Sequence, residues 1–580
     1  MSRQGAIARA QRYFDSGAFK ADLARRVAIP SESQDSARAP ELRRYIEAEM
    51  TPALEALGFA CRILAHPKAR GPFLFAERIE DPAHPTVLGY GHGDVIRGFE
   101  GRWKPGIAPW ELVESEGRYW GRGTADNKGQ HTINLAALGA VLEERGALGF
   151  NSKWLIEMGE ETGSAGLREL CAENREAFRA DVLIASDGPR LSEQRPTIYL
   201  GCRGAYPIDL WIDAREGGQH SGNWGGLLSN PAVQLVHALA AVVGPTGQIR
   251  VAEFVPDHIP AAVEHALADC EVSSGPGEPA IDPAWGEPGL TLAEKVFAWC
   301  SFEILAMSAG NPDNPVNAIP PRAWARAQIR FVTGVDPAEF LPALRRHLDR
   351  HGFSMVKIAQ ARDEIFHATR LDPEHPWALW TAASMTATCG RRPAVLPSTG
   401  GSLPNDVFSD LLGLPTVWVP HSYRGCSQHA PDEHLPTALA REALALMAGI
   451  YWDLGEPGTP GRAIGSGTTA AVPGLRRAPS GLRAARFRSP HGAKRNAGSR
   501  ERFTSSMLPR IRFADPGYGP RPFTPAAPPR RRWRSPAGSC RRGRRRRSRR
   551  LSGPAWRSGG SRRRWPSARG RRTSCGTPAS

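Results

Sequence analysis

The stretch PTVLGYGHGDV at residues 85–95 decides how this chain is read. Its first half is an apolar run of strand length, and its end turns polar at His92 and Asp94. A run that stays apolar without alternating fits a strand covered on both faces, in a sheet sandwiched between helices. Positions two apart on a strand project to the same side, so Asp94 is expected beside His92 at the strand's end. A carboxylate there can orient a metal-bound imidazole and raise its basicity. The isolated tripeptide also reads as an exposed turn, so it carries no chemistry alone.

Outward from this stretch the pattern repeats. KWLIEMGEE (153–161) and ADVLIASDGP (180–189) are further apolar runs that end in acidic residues, and TINLAALGAVLEERGAL (132–148) and AGLRELCAENREAF (165–178) between them have helical spacing. Alternating strand and helix predicts an α/β sandwich with a mainly parallel sheet, in which ligands bind at the carboxyl ends of the strands. Residues 6–57 read as helices leading into this unit. From Thr197 the rhythm changes: TIYLGCRGAYPIDLWIDA (197–214) alternates like a half-exposed strand, followed by a helix at 231–243, a strand at 322–334 and a helix at 339–352. That predicts an inserted α+β domain, with no assignment for 245–311. The α/β pattern returns with a helix at 375–390, a strand at 416–422 and a closing amphipathic helix at 437–454. The expected organisation is a catalytic domain in two parts, 1–196 and 358–454, an inserted domain at 197–357, and a tail at 455–580.

The net charge of +17 suggests a nucleic-acid binder until it is located. Residues 461–580 hold 32 Lys and Arg against two acidic residues, which leaves 43 basic and 56 acidic residues before them. The body is mildly acidic; the tail, with RRGRRRRSRR at 541–550, has no apolar periodicity and is predicted to be disordered. Nine scattered cysteines without a C-x-x-C pair, no secretion signal and no apolar run long enough to span a bilayer predict a reduced, soluble, cytoplasmic chain.

Four further groups join His92 and Asp94 as candidates. Asp126 in WGRGTADNKGQ stands between a glycine-rich turn and a helix start; it reads as a cavity-edge carboxylate or as a helix cap. Glu160 and Glu161 end an apolar strand, where two adjacent carboxylates need a positive counterpart, most economically a divalent metal. Adjacent side chains diverge at a strand end, so one can bind the metal while the other accepts a proton from water. Asp187 repeats the arrangement, and His429 in CSQHAPDEH supplies a late imidazole. Together they form the mixed His/carboxylate set preferred by paired zinc ions. A G-x-S-x-G elbow is absent, and GRGTAD lacks the third glycine of a dinucleotide loop.

In order, GHGDV, GRGTADNKG, GEETGS, ASDGP, HSGNWGG, GGSLPND and SQHAPDEH resemble the cocatalytic zinc metallopeptidase superfamily of carnosine dipeptidase, aminoacylase, acetylornithine deacetylase and succinyl-diaminopimelate desuccinylase, over residues 15 to 454. The resemblance implies a three-layer catalytic domain with an inserted lid that pairs between subunits, hence a homodimer. It implies two Zn ions, with Mn or Co as substitutes: Asp126 bridging both, His92 and Asp187 completing one site, Glu161 and His429 the other. It assigns Glu160 as the general base acting on a metal-bridging water and Asp94 as the residue orienting His92. His220 would be the lid histidine that meets the oxyanion across the dimer, and Arg330, Gly401 and Ser402 would grip the substrate's carboxylate. Asp at position 187 resembles the dipeptidase branch, so the substrate is expected to be a small peptide with a free carboxylate. IRGFEGRWKPG (96–106) and the Pro- and Gly-rich insertion around 273–288 depart from that branch. An N-acyl-amino-acid deacylase using the same metals is the alternative within the class. Outside it stand nucleic-acid binding through the basic tail and a metal-free binding protein, the latter disfavoured because every proposed ligand is present.

Overall fold

The computed structural model describes residues 1–275, 278–362 and 365–461. The basic tail and its possible nucleic-acid contacts lie outside the described residues. Three runs read from sequence form the centre of an eight-stranded sheet, ordered Ala60–Leu64, Phe73–Arg78, Asn151–Glu157, Thr86–His92, Val182–Ala185, Thr416–Trp418, Thr197–Tyr199, Ala394–Leu396. Thr86–His92 runs parallel to both neighbours, with His92 in register with Glu157. Alternate residues of one strand enter opposite cores. Val87, Trp154 and Ile156 pack beneath the helices Arg3–Asp15, Lys128–Arg145 and Thr437–Leu454, whereas Leu88, Tyr90 and Leu155 pack with Leu167, Leu170 and Val263 on the other face. Burial on both faces is why these strands lack polar alternation.

The sheet is mixed, with four of its seven neighbouring pairs parallel, in line with the mainly parallel expectation, and three antiparallel. Ala60–Leu64 and Phe73–Arg78 form an antiparallel edge, and Thr416–Trp418 meets Thr197–Tyr199 antiparallel. The closing helix is less amphipathic than expected. Arg3–Asp15, Lys128–Arg145 and Pro376–Cys389 surround Thr437–Leu454 and bury 13 of its 18 residues.

The run at 197–214 is not one strand. Thr197–Tyr199 stays in the large sheet, Gly201–Cys202 pairs with Thr369–Arg370, and only Gly204–Asp213 enters a second sheet. Gly201 permits the change of sheet, because a Cβ there would stand 2.0 Å from the Thr369 carbonyl oxygen. The second sheet is antiparallel, ordered Ser301–Ser308, Arg322–Phe331, Gly204–Asp213, Lys357–Gln360. Helices Pro231–Val242 and Phe340–Arg350 cover one of its faces through Leu235, Leu239, Phe340 and Leu344. Among the described residues, no helix is long and apolar enough to cross a membrane.

Candidate metal centre

His92 is the last residue of its strand and is fully buried. Its Nδ1 lies 3.0 Å from the Asp94 carbonyl oxygen and 3.4 Å from Asp94 Oδ1, so the main chain is the nearer orienting group. The Asp94 carboxylate instead accepts the backbone N–H groups of Glu160 and Glu161, each at 3.2 Å. Those two glutamates stand past the end of the Asn151–Glu157 strand, in the short helical turn Glu160–Thr162, rather than at the strand end expected. The turn therefore separates them, and Asp94 holds it.

Asp126 occupies the middle. One oxygen lies 3.1 Å from His92 Nε2, and Asp187 Oδ2 is 3.6 Å from the same nitrogen. The other oxygen lies 3.2 Å from His429 Nε2, which is 2.9 Å from Glu161 Oε2. Two groups result, His92/Asp126/Asp187 and Asp126/Glu161/His429, and in each the donor atoms lie within 4.8 Å of one another. The structure thus brings together all five residues singled out from sequence, with one carboxylate common to both groups.

Electrostatics show what such a cluster favours. Burial, reinforced by the charge of Asp126, pushes Asp187 up to about 6 and Glu161 up to about 7. Burial also raises Glu160 well above the carboxylate range, with Glu161 and Asp187 adding to it. For Asp126 burial acts the same way, but His429 and His92 outweigh it and hold its carboxyl below the ordinary range. His429 is driven up to about 11 by Asp126 and Glu161; His92 is raised too, because Asp126 and Asp94 overcome its burial. Such crowded carboxylates gather protons to offset their repulsion, and divalent cations offset it more effectively. Imidazole with carboxylate oxygen is a donor set that suits Zn and also accepts Mn or Co.

Beyond the cluster, Arg330 Nη1 donates to Ser402 Oγ at 2.7 Å, joining two residues expected to share a role, with Gly401 beside them. Sequence reasoning missed Arg203, whose Nε and Nη2 donate to the Gly400 carbonyl at 2.9 and 2.7 Å and whose own carbonyl accepts from Ser402 Oγ. Burial and the neighbouring Arg330 charge lower its guanidinium to about 10. Among the described residues, neither arginine has an ion-pair partner. His220 is exposed in the short strand Gln219–His220, and its Nδ1 accepts the Gly222 N–H; within the chain it is not brought to the cluster.

A family profile described as Peptidase family M20/M25/M40 matches residues 88–453, a span that begins inside the His92 strand and ends in the last helix. The chain belongs to this family. Relatives of this M20/M25/M40 peptidase include the Beta-Ala-His dipeptidase of Homo sapiens, 34% identical over 403 residues that cover 66% of this chain and 78% of that protein. The Rattus norvegicus protein of the same name is 28% identical over 302 residues, covering 50% of this chain; the chain spans 61% of that relative's length. The crystal structure of human carnosine dipeptidase 1 shares the fold, with a TM-score of 0.64 at 23% identity over 77% of this chain and 98% of that one. The family to which this M20/M25/M40 chain belongs is thus one of peptidases, and the relatives it matches are named as dipeptidases.

Proposed function

We propose that the chain is a dipeptidase using two divalent cations, zinc in this reading, to hydrolyse the amide bond of a small peptide with a free carboxylate. The observation that carries this is Asp126, whose two oxygens face separate donor groups while Glu160 belongs to neither. His92 and Asp187 would hold one ion, Glu161 and His429 the other, and Asp126 both. Bound there, the pair would polarise the scissile carbonyl and ease deprotonation of water. Glu160, a half-buried carboxylate that belongs to neither donor group, would take the proton from the attacking water and return it to the leaving amine. Asp94 fixes the turn that presents it. Arg330 and Ser402 would receive the substrate carboxylate, for which a planar guanidinium is apt.

The homodimer is part of the same reading. The edge strand Ser301–Ser308 exposes Ile304, Leu305 and Met307, and helix Pro231–Val242 exposes Val233 and Val236 on one face. An apolar surface of this kind favours a second copy. His220, on an exposed segment, would then reach the neighbour's site and meet the developing oxyanion.

The test is Glu160→Ala with a substrate panel. Zinc content should stay at two per chain while kcat falls by about three orders of magnitude or more. Dipeptides should be cleaved in preference to N-acetyl and N-succinyl amino acids; the reverse preference would favour the deacylase.

A further inference from the structure

The glycine-rich turn GRGTAD at 121–126 encloses an anion, and the anion is the chain's own. The Glu433 carboxylate, 1% exposed, accepts the Gly123 N–H at 3.1 Å on each oxygen, the Ala125 N–H at 2.9 Å and the Asp126 N–H at 3.0 Å. Arg122 closes the ring, with Nη1 donating to Glu433 at 2.6 Å and Nη2 to the Ala430 carbonyl at 2.9 Å. Converging backbone N–H groups of this kind form an anion-binding nest. Gly123 suits it at φ +88, where a side chain would also meet Lys128 at 2.8 Å.

Glu433 lies four residues beyond His429 on the same segment. That segment is tied again to the turn by the Gly121 N–H donating to the Glu433 carbonyl at 3.1 Å, and by pairing of His434–Pro436 with Arg118–Trp120. The loops carrying Asp126 and His429 are therefore locked to each other through one carboxylate.

The two candidate cation groups differ in what else supports them. His92 ends a central strand, and Asp187 follows another by two residues. Glu161 lies in a short turn, and His429 sits on a loop at φ 59 with 57% of its side chain exposed.

We propose that Glu433 is a positioning residue for the Asp126/Glu161/His429 centre, its carboxylate setting the separation of Asp126 and His429. This rests on the two-cation reading above. Without Glu433, the His92/Asp187 centre keeps two strand-anchored donors and the other centre keeps none.

The experiment is zinc titration of the metal-free, full-length protein and its Glu433→Ala and Glu433→Gln variants, by equilibrium dialysis. The wild-type chain should bind two ions. Glu433→Ala should bind the first within about threefold of wild type and the second about 10–100-fold more weakly. Glu433→Gln, which keeps side-chain volume and one acceptor oxygen, should weaken only the second ion and by less. Unchanged affinities for both ions, or an equal loss of both, would overturn the proposal, since general loosening does not choose between centres. If Glu433→Ala fails to fold by circular dichroism, the Gln variant decides by the same criteria. A wild-type chain binding fewer than two ions would fail at the earlier step, overturning the two-cation reading and this proposal with it.

Discussion

Glu157 stands three residues before Glu160, fully buried, and belongs to neither donor group. Tyr90 and Ser164 donate to one of its oxygens at 2.7 and 3.0 Å, while Oε2 has no partner among the described residues. Burial, then the charge of Asp94, raises its carboxyl to about 7. With the folded value above the unfolded one, the native state keeps a proton that the unfolded chain releases. Its stability contribution is therefore fully present below about pH 4.5 and is lost as pH rises towards 7. In Glu157→Gln the amide nitrogen takes the place of an oxygen that has no donor to lose. Urea unfolding of the metal-free protein should show a flatter pH slope for the variant, and a gain of about 1–3 kcal/mol near pH 8; equal slopes would count against this account. Arg330 makes a second prediction at this scale. Replacing it with Met removes a charge-assisted contact, so kcat/KM for free dipeptides should fall about 10–100-fold. C-terminally amidated dipeptides should lose little, and metal content should not change.

Among the elements, legibility followed the period of the chain. His92 and Asp187 could be placed because apolar runs lead directly to them, and a strand buried on both faces has few ways to end other than at a polar rim. Asp126 was readable from the turn before it and the helix Lys128–Arg145 after it. The turn Glu160–Thr162 was not, because a single helical turn leaves no periodicity and its anchor, Asp94, lies 66 residues away. Glu433 was hidden for the same reason: its partners sit more than 300 residues upstream. Arg203 was hidden because a lone arginine before a glycine reads as surface, and only the fold brings it to Gly400 and Ser402. The antiparallel edge and the sheet change at Gly201 depend on backbone contacts with distant segments, which side-chain patterning does not encode.

For the whole molecule, association is the property to measure. Leu305, 56% exposed, sits where the pairing of the edge strand Ser301–Ser308 with its neighbour shifts register between Ile304 and Ala306. Such irregularities blunt an edge against open-ended strand addition while leaving its side chains available. Leu305→Glu should shift sedimentation from dimer towards monomer and lower activity in proportion to the dimer lost. A monomer with full kcat would remove His220 from the mechanism. The order of the donors along the chain has a different consequence. His92, Asp126, Glu161 and Asp187 are synthesised early, but His429 and Glu433 arrive only near the end of the described chain, and Thr416–Trp418 must insert between two strands made much earlier. Until those residues are made, the Asp126/Glu161/His429 group lacks its imidazole and the sheet lacks the strand between Val182–Ala185 and Thr197–Tyr199. In the two-cation reading, the Asp126/Glu161/His429 centre is complete only once translation has passed His429.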